Sequence, residues 1–119
     1  MKKVLLETKL TVYENLQELP DDVVSLMEMA KVAREKAYAP YSNFSVGTAL
    51  LLDNGEVITG SNQENASYPS GLCAERTAIY YAGSQYPNAK VLKLAITAGA
   101  INKTTDTPIP PCGACRQAL

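Results

Sequence analysis

Apolar positions change their spacing several times along this chain, and each change marks an element. In residues 3–13, Val4, Leu6, Leu10 and Val12 fall on loosely alternating positions, the pattern of an outer strand or an ordered arm. After Pro20 the period becomes helical. Val23, Leu26, Met27, Ala30, Ala33 and Ala37 recur three or four apart, Asp21 and Asp22 stand at the start, and Lys31, Arg34 and Lys36 come later. This predicts an amphipathic helix that ends before Pro40. Residues 39–44 read as a turn carrying Tyr41 and Phe44, with Ser42 and Asn43 between them.

Residues 46–53 and 56–60 are apolar, branched-rich runs joined by Asn54-Gly55, which predicts an antiparallel strand pair with a two-residue turn at positive backbone angles. Residues 61–72 are polar and turn-rich, closing on Pro69-Ser70-Gly71. A second helix is expected from about Cys73 to Tyr81, with Cys73 and Glu75 in its first turn. Residues 91–97 form a third strand, reached by a crossover long enough to allow parallel pairing with an earlier one. Pro108, Pro110 and Pro111 stiffen the approach to Cys112, where a further helix begins and the sequence stops. Three strands with an uncovered edge lead to the expectation that a C-terminal part of the domain is absent. No repeat, low-complexity tract or linker divides the chain, so residues 1–119 are read as one domain with residues 1–20 as an N-terminal extension.

The composition narrows the partners. With 46% hydrophobic and 19% charged residues the chain has the balance of one modest globular core, and its net charge of -1 provides no broad basic surface for a long nucleic acid. A small substrate is expected instead. Neither a signal-peptide core nor a stretch approaching a membrane span is present, so the expected location is the cytoplasm.

Histidine is absent, which leaves acid–base chemistry to carboxylates, lysine or tyrosine, and the three cysteines are an odd count for a closed disulfide framework. Cys112 and Cys115 lie three apart and share one face of a helix, a spacing open to a redox pair, half of a structural zinc site or two core thiols. Cys73 also stands near a helix N-terminus, where the dipole favours thiolate. A structural zinc site normally needs four protein ligands, so three cysteines without histidine point to zinc with one position open to water, whose acidity the metal raises. Three thiolates concentrate negative charge, which Arg76 and the helix ends are placed to offset. Glu75, two residues from Cys73, is close enough to act at such a site without being a ligand; alone, it would be an ordinary dipole-favouring acid.

Cys73-Ala74-Glu75 together with Pro111-Cys112-Gly113-Ala114-Cys115 resembles the signature of the zinc nucleoside deaminases, and the run from Asn62 through Ala78 resembles those that act on free cytidine. The segment Ala39-Pro40-Tyr41-Ser42-Asn43-Phe44 resembles the loop that precedes it in this family. The resemblance covers about residues 22–119. It implies a three-layer α/β/α fold with a mixed sheet of about five strands in complete members, and a homotetramer, with a dimer as the alternative, whose sites borrow neighbours' residues. It further implies Cys73, Cys112 and Cys115 as zinc ligands, Glu75 as the proton-transferring group, and Arg76 hydrogen-bonded to the ligand thiolates. Asn62 and Glu64 would hold the ribose, Phe44 would pack on the base, and Ala66 and Tyr68, with Tyr41, would complete the nucleoside pocket.

The expected activity is hydrolytic deamination of cytidine and deoxycytidine to the uracil nucleosides in pyrimidine salvage. The alternatives are a related aminopyrimidine or nucleoside-antibiotic deaminase, and a non-catalytic zinc-stabilised nucleoside-binding module. A thiol redox protein using Cys112 and Cys115 is a further reading. A polynucleotide editor is disfavoured by the lack of a basic groove.

Overall fold

The computed structural model describes residues 1–119. Its first helix, α1, runs Asp21–Arg34 directly after Pro20, with Asp21 and Asp22 in the first turn and Lys31 and Arg34 in the last, the charge order that suits the helix dipole. Strand β1 covers Phe44–Leu52, β2 Val57–Ser61 and β3 Val91–Ala100; α2 spans Ala74–Gln85 and the short α3 spans Gly113–Ala118. Single 3-10 turns cover Leu16–Glu18 and Tyr68–Ser70.

The strand order is β2-β1-β3, and both pairings are antiparallel. The β2-α2-β3 crossover does make β2 and β3 parallel in direction, but it passes over β1, which takes both sets of ladder hydrogen bonds. Parallel pairing of the third strand is therefore corrected, and so is the mixed character of the sheet: its three strands are wholly antiparallel. Residues 3–13 form no strand and are exposed, so the outer-strand expectation is corrected as well.

The turn at Asn54-Gly55 also differs from expectation. Gly55 takes φ 87°, while Asn54 does not share a positive φ, which excludes the two-residue turn that requires it at both positions. Gly55 N–H donates to Leu52 O at 3.0 Å and Leu52 N–H to Glu56 O at 2.9 Å, closing a three-residue loop with glycine at its left-handed position.

The helices cover opposite faces of the sheet, which makes three layers. Alternate residues of β1 point to opposite sides: Leu50 and Leu52 pack with Ile58 against Ala78 and Ala82 of α2, and Ala49 packs with Ala95 against Leu26 and Ala30 of α1. Small residues set both spacings. A Cβ built on Gly47 would lie 2.0 Å from Ala30 O, and one on Gly60 would lie 2.6 Å from Ala74 O. Glycine is needed at both because backbone approaches backbone. Gly47→Ala should therefore lower the urea unfolding midpoint by the equivalent of about 1–3 kcal/mol or more, whereas Gly83→Ala, with nothing within 4 Å of its built Cβ, should raise it by about 0.5–1 kcal/mol.

Candidate active site

The approach of α2 to β2 carries Cys73, Glu75 and Arg76 to one end of the sheet. Cys73 is the N-cap of α2 and Cys112 the N-cap of α3, each with extended backbone, so both stand just before the first helical turn rather than inside it. Cys115 follows within α3 and is buried. The sulfur of Cys112 lies 3.9 Å from that of Cys73 and 3.4 Å from that of Cys115, and all three lie within 4.8 Å of one another. A tetrahedral zinc ion with Zn–S bonds of about 2.3 Å requires sulfur separations of about 3.8 Å. The cluster has that size, and Glu75 lies outside it.

Arg76 is half-buried, with Nη2 donating to Cys73 Sγ at 3.6 Å. Hydrogen bonds to the Cys73 and Cys115 sulfurs hold the guanidinium well above its already high ordinary pKa. Its Nε is buried without a protein acceptor. The two ends of the Cys-x-x-Cys pair differ. Backbone N–H groups of the short helix, led by that of Cys115, lower the pKa of Cys112, while burial pushes Cys115 up to about 12. Without metal Cys115 is a neutral thiol at pH 7, and metal binding must displace its proton. Three thiols, one fixed cation and a separation matched to zinc fit that metal.

Beside Cys73 and Arg76 opens a cavity of about 580 Å³, lined also by Tyr41, Ser42, Asn62, Glu64, Ala66 and Tyr68. Glu64 Oε1 accepts the backbone N–H of Tyr41 at 3.0 Å and of Ser42 at 3.1 Å. Hydrogen bonding from Ser42, with further bonds from the loop backbone, lowers its pKa. Asn62 is held at both ends of its amide: Oδ1 accepts from Val46 N at 2.9 Å and Nδ2 donates to Phe44 O at 2.9 Å. It extends the β1 ladder beyond β2, the strand-capping role open to such a residue, while still facing the cavity. Ala66 and Tyr68 are exposed on the rim, Tyr68 at 90%. Phe44 is half-buried at the start of β1 and is not among the lining residues.

Gln63, Asn65, Gly71 and Leu72 also line this space, though they were not singled out in the sequence. The turn-rich composition of residues 61–72 marked the segment, but only the tertiary fold shows which of its side chains face inward. Asn43, at φ 53°, turns the chain between the Glu64-bound loop and β1.

Residues 21–119 match the family model of the cytidine and deoxycytidylate deaminase zinc-binding region. The chain belongs to this family. Among curated deaminases, a cytidine deaminase of Halalkalibacterium halodurans is 50% identical over 94 residues, covering 79% of this chain and 67% of that protein. The crystal structure of cytidine deaminase from Burkholderia pseudomallei superposes with a TM-score of 0.69 at 51% identity, covering 78% of this chain and 70% of that one. That of cytidine deaminase from Mycobacterium tuberculosis gives 0.72 at 40% identity, covering 84% and 76%. The chain thus spans about two thirds of the length of the first curated relatives, 67% and 68%. Membership and the sulfur cluster together establish zinc as the cofactor. No helix is long and apolar enough to cross a membrane.

Two outcomes follow. Arg76→Ala should weaken zinc retention against a chelator by roughly 10- to 100-fold, the range for losing a group that supports the ligands. The folded-state pKa of Glu64 lies below its unfolded value of 4.5, so its clamp on residues 41–42 is fully present above that value and is lost as pH falls through the lower folded one. Amide exchange at Tyr41 and Ser42, corrected for the intrinsic pH dependence, should accelerate in that window, and Glu64→Gln should remove the transition.

Proposed function

We propose that this chain is a zinc hydrolase that deaminates cytidine and deoxycytidine to uridine and deoxyuridine with release of ammonia, in pyrimidine salvage. The observation that carries the reading is the convergence of Cys73, Cys112 and Cys115, with the buried Glu75 two residues from Cys73, next to a cavity large enough for a nucleoside that Cys73 and Arg76 line.

The three cysteines hold zinc, which supplies the Lewis acidity that makes a water nucleophilic near neutral pH. Glu75 takes a proton from the attacking water, passes it to the pyrimidine ring as C4 is attacked, and delivers a proton to the departing ammonia. Its burial, 5% exposed, keeps bulk water from competing for that proton. Arg76 neutralises part of the thiolate charge, which limits how far three sulfurs blunt the metal's acidity.

Glu64 spends one oxygen on the loop and keeps Oε2 for a sugar hydroxyl, while Asn62 retains one amide hydrogen and one lone pair after holding β1. Both can therefore orient ribose without releasing the backbone they position. Tyr41 and Tyr68 on the rim, with Phe44 adjoining it, supply aromatic surface for the base, and Ala66 supplies backbone polar groups. The open rim is consistent with a homotetramer in which neighbouring copies complete each pocket, and the activity with a place in the cytoplasm.

Zinc content and loss of the cytidine absorbance band, read on wild type and Glu75→Gln, test this. Both proteins should bind one zinc per chain, and the variant should lose turnover by about 100-fold or more. Equal rates in the two would remove Glu75 from the chemistry. Zinc bound by a wild type that turns over neither nucleoside would instead support a metal-stabilised binding module.

A further inference from the structure

The N-terminal arm, which precedes the residues matched by the family, is an apolar segment that the fold leaves uncovered. Its even positions, Val4, Leu6, Thr8, Leu10 and Val12, are apolar or branched, while Lys3, Glu7, Lys9 and Thr11 make the odd ones mostly polar. That is the period of a strand with one face to bury. Val4, Leu6, Leu10 and Val12 are nevertheless between 70% and 89% exposed, and no edge of their own chain receives them. A row of large apolar side chains left in water marks an interaction surface.

Strand β2 offers the matching edge, since it is paired on one side only. Leu52 N–H donates to Glu56 O and Asn62 N–H to Val46 O, so even-numbered residues of this stretch face β1. Val57 and Thr59 therefore turn their N–H and C=O groups outward, where no backbone partner meets them. Thr59 lies opposite Ala49, on the face of the sheet that α1 covers. Beside it runs a groove of about 390 Å³ lined also by Glu28, Met29, Val32 and Ala33, the space that the inward side chains of one further strand would fill. The charges agree. Residues 2–12 carry Lys2, Lys3 and Lys9 against Glu7 alone, while Asp53 and Glu56 stand exposed at the start of the edge and Glu28 on the groove.

A single chain contains both parts and leaves them apart, for no residue of the arm lines the groove or bonds to β2. We therefore propose that the arm docks on a second copy of this chain. Residues 3–12 add as a strand along Val57–Thr59, their even-numbered face over Met29 and Val32, and the partner's arm does the same in return. The exchange covers the apolar row and closes an edge that would otherwise stay open to further chains. It does not depend on the deaminase reading.

Two measurements on the full chain decide it. Amide exchange at Val57 and Thr59 should slow as protein concentration rises, because a contact between copies follows mass action. Exchange that is fast at every concentration, or equally slow at every concentration as docking within one chain would make it, overturns the proposal. In sedimentation, Leu6→Asp combined with Leu10→Asp should weaken self-association by about 30-fold or more, the scale of losing a dominant interface contact. Val32→Asp should do the same from the groove side; all three positions are exposed, so the single chain tolerates the change. An equimolar mixture of the arm variant and the groove variant should associate more tightly than either alone, since one intact arm then meets one intact groove. Association unchanged by the arm substitutions, or a mixture no tighter than its parts, places the arm elsewhere, on the edge of β3 or in solvent, and overturns the assignment.

Discussion

With no side chain at Gly60, the backbone of α2 lies against β2 at a distance that any Cβ would forbid. That contact places the first turn of α2 over the end of the sheet, and with it Cys73, Glu75 and Arg76. Because Cys73 is the N-cap and Glu75 lies two residues on, one helix start presents a metal ligand and a carboxylate together. The start of α3 brings Cys112 and Cys115 to meet them. Close packing of small residues, Gly60 with Ala74 and Ala78, is thus a condition of the chemistry as much as of the fold.

Charge organises the rest of the site. Burial makes Cys115 a weak acid, the backbone of α3 makes Cys112 a stronger one, and the Arg76 guanidinium stands between the two helices as the fixed cation of the cluster. A metal ion would resolve this arrangement by displacing the thiol protons and leaving Arg76 to balance the excess. On the cavity side, Glu64 and Asn62 each use part of their hydrogen-bonding capacity to hold the backbone that shapes the pocket. Cavity lining and scaffold are here the same side chains.

Much of this could be read from the sequence because the decisive signals are local. Helical spacing with Pro20, Asp21 and Asp22 at its head marks α1; Asn54-Gly55 marks the hairpin; and the motifs around Cys73-Ala74-Glu75 and Cys112-Gly113-Ala114-Cys115, through their resemblance to the zinc nucleoside deaminases, single out the three cysteines that the fold brings within 4.8 Å of one another. What could not be read depends on contacts distant along the chain. A crossover of given length allows parallel pairing but cannot reveal that β1 will lie between β2 and β3. Asn54-Gly55 fits two turn geometries, and the bonds between Leu52 and residues 55–56 select one. Alternation among Val4, Leu6, Leu10 and Val12 describes a strand only if an edge receives it, and none does. Phe44 lies outside the cavity lining because β1 begins there, while Gln63, Asn65 and Leu72 enter it through the path of their loop.

The central claim is that the three thiols and Glu75 form one catalytic unit, and the most direct test is ammonia release from cytidine by the 119-residue chain before and after zinc is stripped and restored. The account predicts turnover that disappears on chelation and returns in proportion to zinc bound, saturating at one ion per chain. Turnover that survives complete removal of zinc, or zinc binding that leaves ammonia release at the uncatalysed rate, would contradict it.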